Sequence, residues 1–211
     1  MTWTPMFPLG VVLFPGEAIA LRVFEERYLA MLEHCASMPS PSFGVVLIER
    51  GSEVGGGDAR SMVATLAHID NTSPGIGGVM LECRGAERLK ILEWLPDDPF
   101  PRARVEVWPD EDADLAAALP ARRRLGDSLD TLIALAGEDR RRVSGRRSAP
   151  RLPDERIDPA GYPFALARAL GLPAADRYRI LAAPDQVTRR AVLADAIDDA
   201  AAVIEFRGRG R

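Results

Sequence analysis

The residues of this 211-residue chain that could do chemistry are few, and their spacing does not assemble them. Lys90 is the sole lysine; Arg88 and Leu89 precede it and Ile91 follows, so no GxxxxGK[ST] phosphate loop exists. Zinc would need four protein ligands in a structural site, or three plus water in a catalytic one. His34, Cys35, His68 and Cys83 are the soft or imidazole candidates, and no Cys-x-x-Cys spacing groups them. His34 and Cys35 are sequence neighbours, and neighbours on a helix do not face each other as a nucleophile and its base must. Gly55-Gly56-Gly57 lacks the strand–GxGxxG–helix setting of a phosphate cradle and reads as a hairpin loop within residues 51–61. Trp3, Trp94 and Trp108 fall on separate elements, so spacing does not make them a cage. The expectation is no catalytic residue, no cofactor, no metal and no enzyme.

Charge narrows the partners. Residues 1–112 hold 9 Lys+Arg against 17 Asp+Glu, while residues 113–211 hold 18 against 14. Nucleic acid needs a positive field, and the acidic front half argues against it. The run Arg140-Arg141-Arg142 with Arg146, Arg147 and Arg151 could draw nucleic acid or acidic proteins, but such runs more commonly keep a loop solvated. No stretch approaches a membrane span of about 18 apolar residues, and no secretory signal opens the chain. Two cysteines in apolar patterning read as reduced, buried thiols. The expected compartment is the cytoplasm.

The elements that must position any site change character along the chain. Gly10–Phe14 and Ala18–Phe24 read as short strands around the breaker Pro15-Gly16, and a helical pattern starts at Glu25-Glu26-Arg27 with Tyr28, Leu29, Leu32 and Cys35 at spacings of three and four. Further strands are expected at Phe43–Glu49, Met62–Asp70, Val79–Arg84, Arg88–Leu95 and Arg102–Trp108. Turns are expected at 74–78 and at Gly85-Ala86-Glu87. Beyond about residue 113 the strand pattern stops. Helices are expected over Arg122–Leu135, Pro159–Leu170 and Ala174–Ala183, then a long one opening at Pro184 with Asp185 as its N-cap. Residues 138–158, rich in Arg and Pro, read as a mobile connection, and the tail from Gly208 to Arg211 as disordered.

The opening string MFPLGVVLFPGEAIALRVFEERY resembles the start of the Lon protease N-terminal (Lon substrate-binding) domain family in free-standing form. Phe7, Pro8, Leu9, Val12 to Gly16, Leu21, Phe24, Glu25, Arg27 and Tyr28 carry the match. Ala20 and Glu26 depart from it, each standing where the family usually has proline. Gly85, Arg88, Leu89 and Ile91 add a weaker echo.

The resemblance implies an α+β fold: a PUA-like antiparallel β-barrel with one early helix over residues 1–112, then a C-terminal helical bundle over 113–207. It implies a non-catalytic substrate-binding protein that recognises unfolded or exposed polypeptide segments, an adaptor in protein quality control or proteolysis working with a protease or chaperone. The chain carries neither the ATPase loop nor the Ser–Lys dyad of the full-length protease. The alternative is a PUA-like RNA-binding module. For polypeptide, the candidate surface is a groove beside the barrel formed by Phe14, Phe24 and Tyr28, with Arg27 near. The same aromatics fit a core role, the commoner one for such positions, and Arg27 fits a brace onto a carboxylate or carbonyl.

Overall fold

The computed structural model describes residues 3–50, 59–112, 115–142 and 151–209. The chain divides into two compact units, residues 1–109 and 110–211.

The first unit holds β1 (Thr4–Leu9), β2 (Ala18–Val23), α1 (Glu26–Ala36), β3 (Ser42–Arg50), β4 (Ala59–Gly75), β5 (Gly78–Leu95) and β6 (Arg102–Val107). The sheet order is β2-β5-β4-β3-β1-β6, and β6 pairs with β5 as well as β1. The sheet is mixed, which corrects the antiparallel expectation: β1 runs parallel to β3, with Met6 opposite Gly44 and Leu9 opposite Leu47. Between them the chain passes through β2 and α1, and a connection of that length returns it in the same direction.

Two local expectations also shift. The first strand is Thr4–Leu9 rather than Gly10–Phe14. Val12, Leu13 and Phe14 are all buried in succession, so their apolar character reflects core contact on irregular backbone and not a pleated strand. Gly85-Ala86-Glu87 does not turn; β5 continues through it, with a register shift against β4 between Thr65 and Ala67. The turn expected at 74–78 is present as a hairpin turn at Ile76-Gly77, between the paired residues Gly75 and Gly78, with Gly77 at φ +70°.

Pro15-Gly16 does turn the chain. The Glu17 N–H donates to the Phe14 carbonyl at 3.1 Å and Gly16 sits at φ +76°, the geometry of a type II turn with proline first and glycine second. The Gly16 N–H then donates to the Gly85 carbonyl, and the Gly85 N–H to the Glu17 carbonyl, each at 2.8 Å. Two residues opposite one, the first a glycine with positive φ, make a G1 bulge. A Cβ on Gly85 would lie 2.2 Å from the Phe14 oxygen, so glycine is required by close approach.

Helix α1 buries Tyr28, Met31 and Cys35, one stripe at spacings of three and four. They pack with Phe7, Phe43 and Leu81 in the larger core cluster. Met6, Val46, Leu89 and Ile91 belong to a second cluster.

The second unit holds α2 (Leu115–Arg142), α3 (Tyr162–Leu170), α4 (Ala174–Leu181) and α5 (Gln186–Arg209). Helix α2 starts before Arg122 and runs through 138–142, which the sequence assigned to the mobile connection. Residues 143–150 of that connection, like 51–58 of the glycine-rich loop, lie outside the described residues. Helix α3 stops at Gly171, φ +64°, where the Leu172 N–H reaches back to the Ala167 carbonyl at 3.3 Å. Asp185 caps α5 as expected: its Oδ1 accepts from the N–H groups of Val187 and Thr188 at 2.7 and 2.9 Å. Burial of the carboxyl raises its pKa, but these bonds and those from Thr188 outweigh that and hold it below the ordinary value. The helix continues to Arg209, through part of the tail expected to be disordered.

Candidate functional site

The four residues singled out from sequence separate by burial. Phe14 is 1% exposed and Tyr28 2%, and both belong to the core. The Tyr28 ring packs at 4.3 Å from Phe7, and the Arg27 guanidinium lies 4.5 Å from the same ring. Arg27 also donates from Nε to the Glu25 carboxylate at 3.1 Å. Phe24 alone turns outward, 48% exposed, with the Arg22 guanidinium 5.3 Å above its ring. The structure therefore keeps Phe24 as a surface group and builds Phe14 and Tyr28 into the core.

What sequence reasoning missed lies next to Phe24. Met80 stands directly opposite Arg22 across the β2–β5 pair. Strand alternation puts Arg22 and Phe24 on one face, so Met80 and Phe24 share that face. A Cβ on Gly78 would lie 3.1 Å from the Phe24 Cβ, so the root of the β4–β5 hairpin adjoins it. Ile76, at the tip of that hairpin, is 94% exposed. Phe24, Ile76 and Met80 thus give this end of the sheet an exposed apolar surface. A signal existed in sequence: Met80 occupies the same alternating set as Glu82 and Arg84, and Ile76 sits inside a turn cluster where a large aliphatic side chain has no core to reach.

The chemically reactive groups are inert by environment. The Cys35 thiol donates to the Ser42 carbonyl at 3.2 Å, and burial pushes its pKa up to about 11. Burial, then the negative charge of Asp70, pushes Cys83 to about 12. A thiol at these values holds almost no thiolate near neutrality, and the thiolate is the nucleophile and metal ligand. His34 stacks on Trp3 at 4.8 Å, and the His68 ring lies 3.4 Å from the Ser40 hydroxyl. Among the described residues no three His, Cys, Asp or Glu side chains gather as a metal set.

The second unit carries a cavity of about 660 Å³ lined in part by Leu119, Val187, Arg122, Arg190 and Glu155. Three of its charges, Arg122, Arg190 and Glu155, are matched to one another. Glu155 accepts from Arg122 Nε at 2.9 Å and from Arg190 at 3.1 Å, and Arg190 also holds the Gln186 side chain at 2.8 Å. Behind them Arg189, with no exposed surface, makes a bidentate pair with Asp110 at 2.8 and 2.6 Å and stacks 4.5 Å over Phe164. This network fastens α5 to the start of the unit. The carboxylates of Glu111 and Asp112 also line the cavity.

Residues 3–199 match the family model described as the ATP-dependent protease La (LON) substrate-binding domain. The chain belongs to that family. A Lon protease 2 from Herpetosiphon aurantiacus is 30% identical over 119 residues, which is 53% of this chain and 14% of that protein. The chain therefore corresponds to a small part of that relative's length. A solved Lon N-terminal domain protein from Xanthomonas campestris shares 26% identity at a TM-score of 0.59, covering 90% of this chain and 95% of its own. The N-terminal domain of the Mycobacterium avium complex Lon protease superposes with a TM-score of 0.62 over 94% and 99% at 17% identity, a likeness of fold. In the first unit Phe24, Ile76 and Met80 are exposed apolar side chains at one end of the sheet, and Val11, Met62, Leu92 and Val107 are exposed elsewhere. No helix among the described residues is long and apolar enough to cross a membrane.

Proposed function

We propose that this chain is a Lon-type substrate-binding protein that holds exposed apolar polypeptide segments without cleaving them, as an adaptor in cytoplasmic protein quality control. The observation that carries the reading is the exposed apolar surface of Phe24, Ile76 and Met80 in a domain of the Lon substrate-binding family. In the same reading β6, paired to both β1 and β5, closes the strands into a PUA-like barrel, and the four C-terminal helices form a bundle. Covering these three side chains removes on the order of 300 Å² of apolar area from water, or roughly 7 kcal/mol gross. Association itself consumes several kcal/mol of that, so these three side chains supply only part of a micromolar affinity, which needs about 8 kcal/mol net. Further contacts along the segment supply the rest, and binding stays readily released. Weak, reversible capture suits a protein that passes a segment on to a partner.

The test is displacement of an apolar dye from the purified chain by an unfolded model protein, reduced and carboxymethylated α-lactalbumin. Displacement at micromolar concentration supports the reading, and Phe24→Ser should weaken it about tenfold. Absence of displacement at tens of micromolar removes it. Retention on immobilised RNA that falls steeply with salt would favour the RNA-binding alternative instead.

A further inference from the structure

We propose that the free edge of β2 receives the captured segment as an added β-strand, so that recognition runs through backbone hydrogen bonds as well as apolar contact. The inference rests on the polypeptide-binding reading and specifies how that reading is carried out.

The direction of each β2 amide follows from two independent anchors. At one end of β5, Gly75 and Gly78 close a two-residue loop, and the pair bounding such a loop is hydrogen-bonded. The polar groups of Gly78 therefore point to β4, and those of Val79, Leu81 and Cys83 point to β2 by alternation. At the other end, the bonds of Gly85 to Gly16 and Glu17 fix Gly85 toward the β2 side, the same parity. Val79, Leu81 and Cys83 face Val23, Leu21 and Ile19. Those three β2 residues spend their N–H and C=O groups on β5, and the groups of Ala18, Ala20 and Arg22 point away from it.

Among the described residues β2 pairs with β5 alone, and no other backbone group is hydrogen-bonded to Ala18, Ala20 or Arg22. All three are exposed. A row of outward N–H and C=O groups at every second residue is complementary to another extended backbone. The usual edge protections are missing: Ala18–Val23 contains no proline, no bulge and one charge. Ala18 and Ala20 leave the approach open, and Phe24, at the end of β2, stands on the exposed face beside the incoming strand, with Met80 one strand further in. Because Arg22 is the strand's only charge, the occupant is an extended apolar segment, neutral or acidic where it passes Arg22.

Ala20→Pro tests this directly. The Ala20 N–H makes no bond to β5, and proline is tolerated on an edge when its missing N–H would have faced solvent. We expect the variant to keep its unfolding midpoint and to bind reduced, carboxymethylated α-lactalbumin at least tenfold more weakly. Amide hydrogen exchange read by NMR gives a second measure that does not depend on the variant folding: adding that polypeptide should slow the amides of Ala18, Ala20 and Arg22. If the parent binds and these amides keep their rates, strand addition is overturned while polypeptide binding stands. Should the parent bind nothing, both ideas fall together. If the three amides are instead protected in the protein alone, in proportion to its concentration, a second copy occupies the edge and the proposed occupant is wrong.

Discussion

Replacing Gly85 by alanine should be among the most damaging single-methyl additions this chain can receive. The new Cβ would sit 2.2 Å from the Phe14 oxygen and 3.1 Å from its carbonyl carbon, and both are backbone atoms. Relief requires a shift of more than 1 Å, judged against an ordinary contact of about 3.4 Å or more. That shift breaks the two 2.8 Å bonds tying Gly85 to Gly16 and Glu17. At about 1 kcal/mol per bond, plus roughly 1–3 kcal/mol for overpacking, the loss is about 3–5 kcal/mol, a large share of a domain's stability. All three tryptophans, Trp3, Trp94 and Trp108, lie in the first unit, so urea unfolding followed by tryptophan fluorescence reads this unit. The midpoint should fall by roughly 2 M for a domain of this size. Gly126→Ala is the control. Gly126 lies inside α2 of the second unit with nothing within 4 Å of an added Cβ, so the change should stabilise that unit by about 0.5–1 kcal/mol on helix propensity, read by circular dichroism at 222 nm. A Gly85→Ala protein that melts with the parent would refute the close approach and the bulge built on it.

Other consequences follow from the same contacts. Tyr28→Ala removes a ring packed on Phe7 and should lower stability by about 3–5 kcal/mol, whereas Phe24→Ala should cost under about 1 kcal/mol; equal costs in urea melts would contradict the division between core and surface. Asp110→Ala leaves the Arg189 guanidinium buried without its partner and should destabilise the helical unit by about 3 kcal/mol, with Arg189→Met milder, as circular dichroism at 222 nm would show. The reverse ranking would mean that Asp110 does not hold the arginine. The raised thiol pKa values set an alkaline limit. A thiol whose pKa is higher folded than unfolded stabilises the fold fully below the unfolded value near 8.5–9, and loses that contribution as pH climbs toward 11–12. The urea midpoint should fall between pH 8.5 and about 11 in the parent and stay flatter in Cys35→Ala/Cys83→Ala; matching slopes would show that the thiols are not the cause.

Much of this was legible in sequence where one local rule decided the outcome. Pro15-Gly16 announced a turn because proline fixes one φ and glycine supplies the positive one. Asp185 announced a cap through its position before the α5 pattern. Gly85 misled because a strand glycine and a turn glycine look alike until the neighbouring chain is known; its cause is the Phe14 carbonyl, 71 positions away in numbering. The parallel β1–β3 pair was invisible for a similar reason, since direction is set by the crossover and not by either strand's residues. For the candidate surface, aromatic type drew attention equally to Phe14, Phe24 and Tyr28, and only burial separates them. Ile76 and Met80 were overlooked because a turn cluster and a polar strand face seem unpromising places for binding. Arg189 was overlooked because nothing near it in sequence shows that Asp110 lies within reach.

Calorimetric titration of the chain with one protein in two forms tests the central claim most directly: native α-lactalbumin, and the same protein reduced and carboxymethylated. The account predicts micromolar binding with a negative heat-capacity change for the unfolded form, and none for the native form. Equal heats for both forms, or no heat for either, would contradict it.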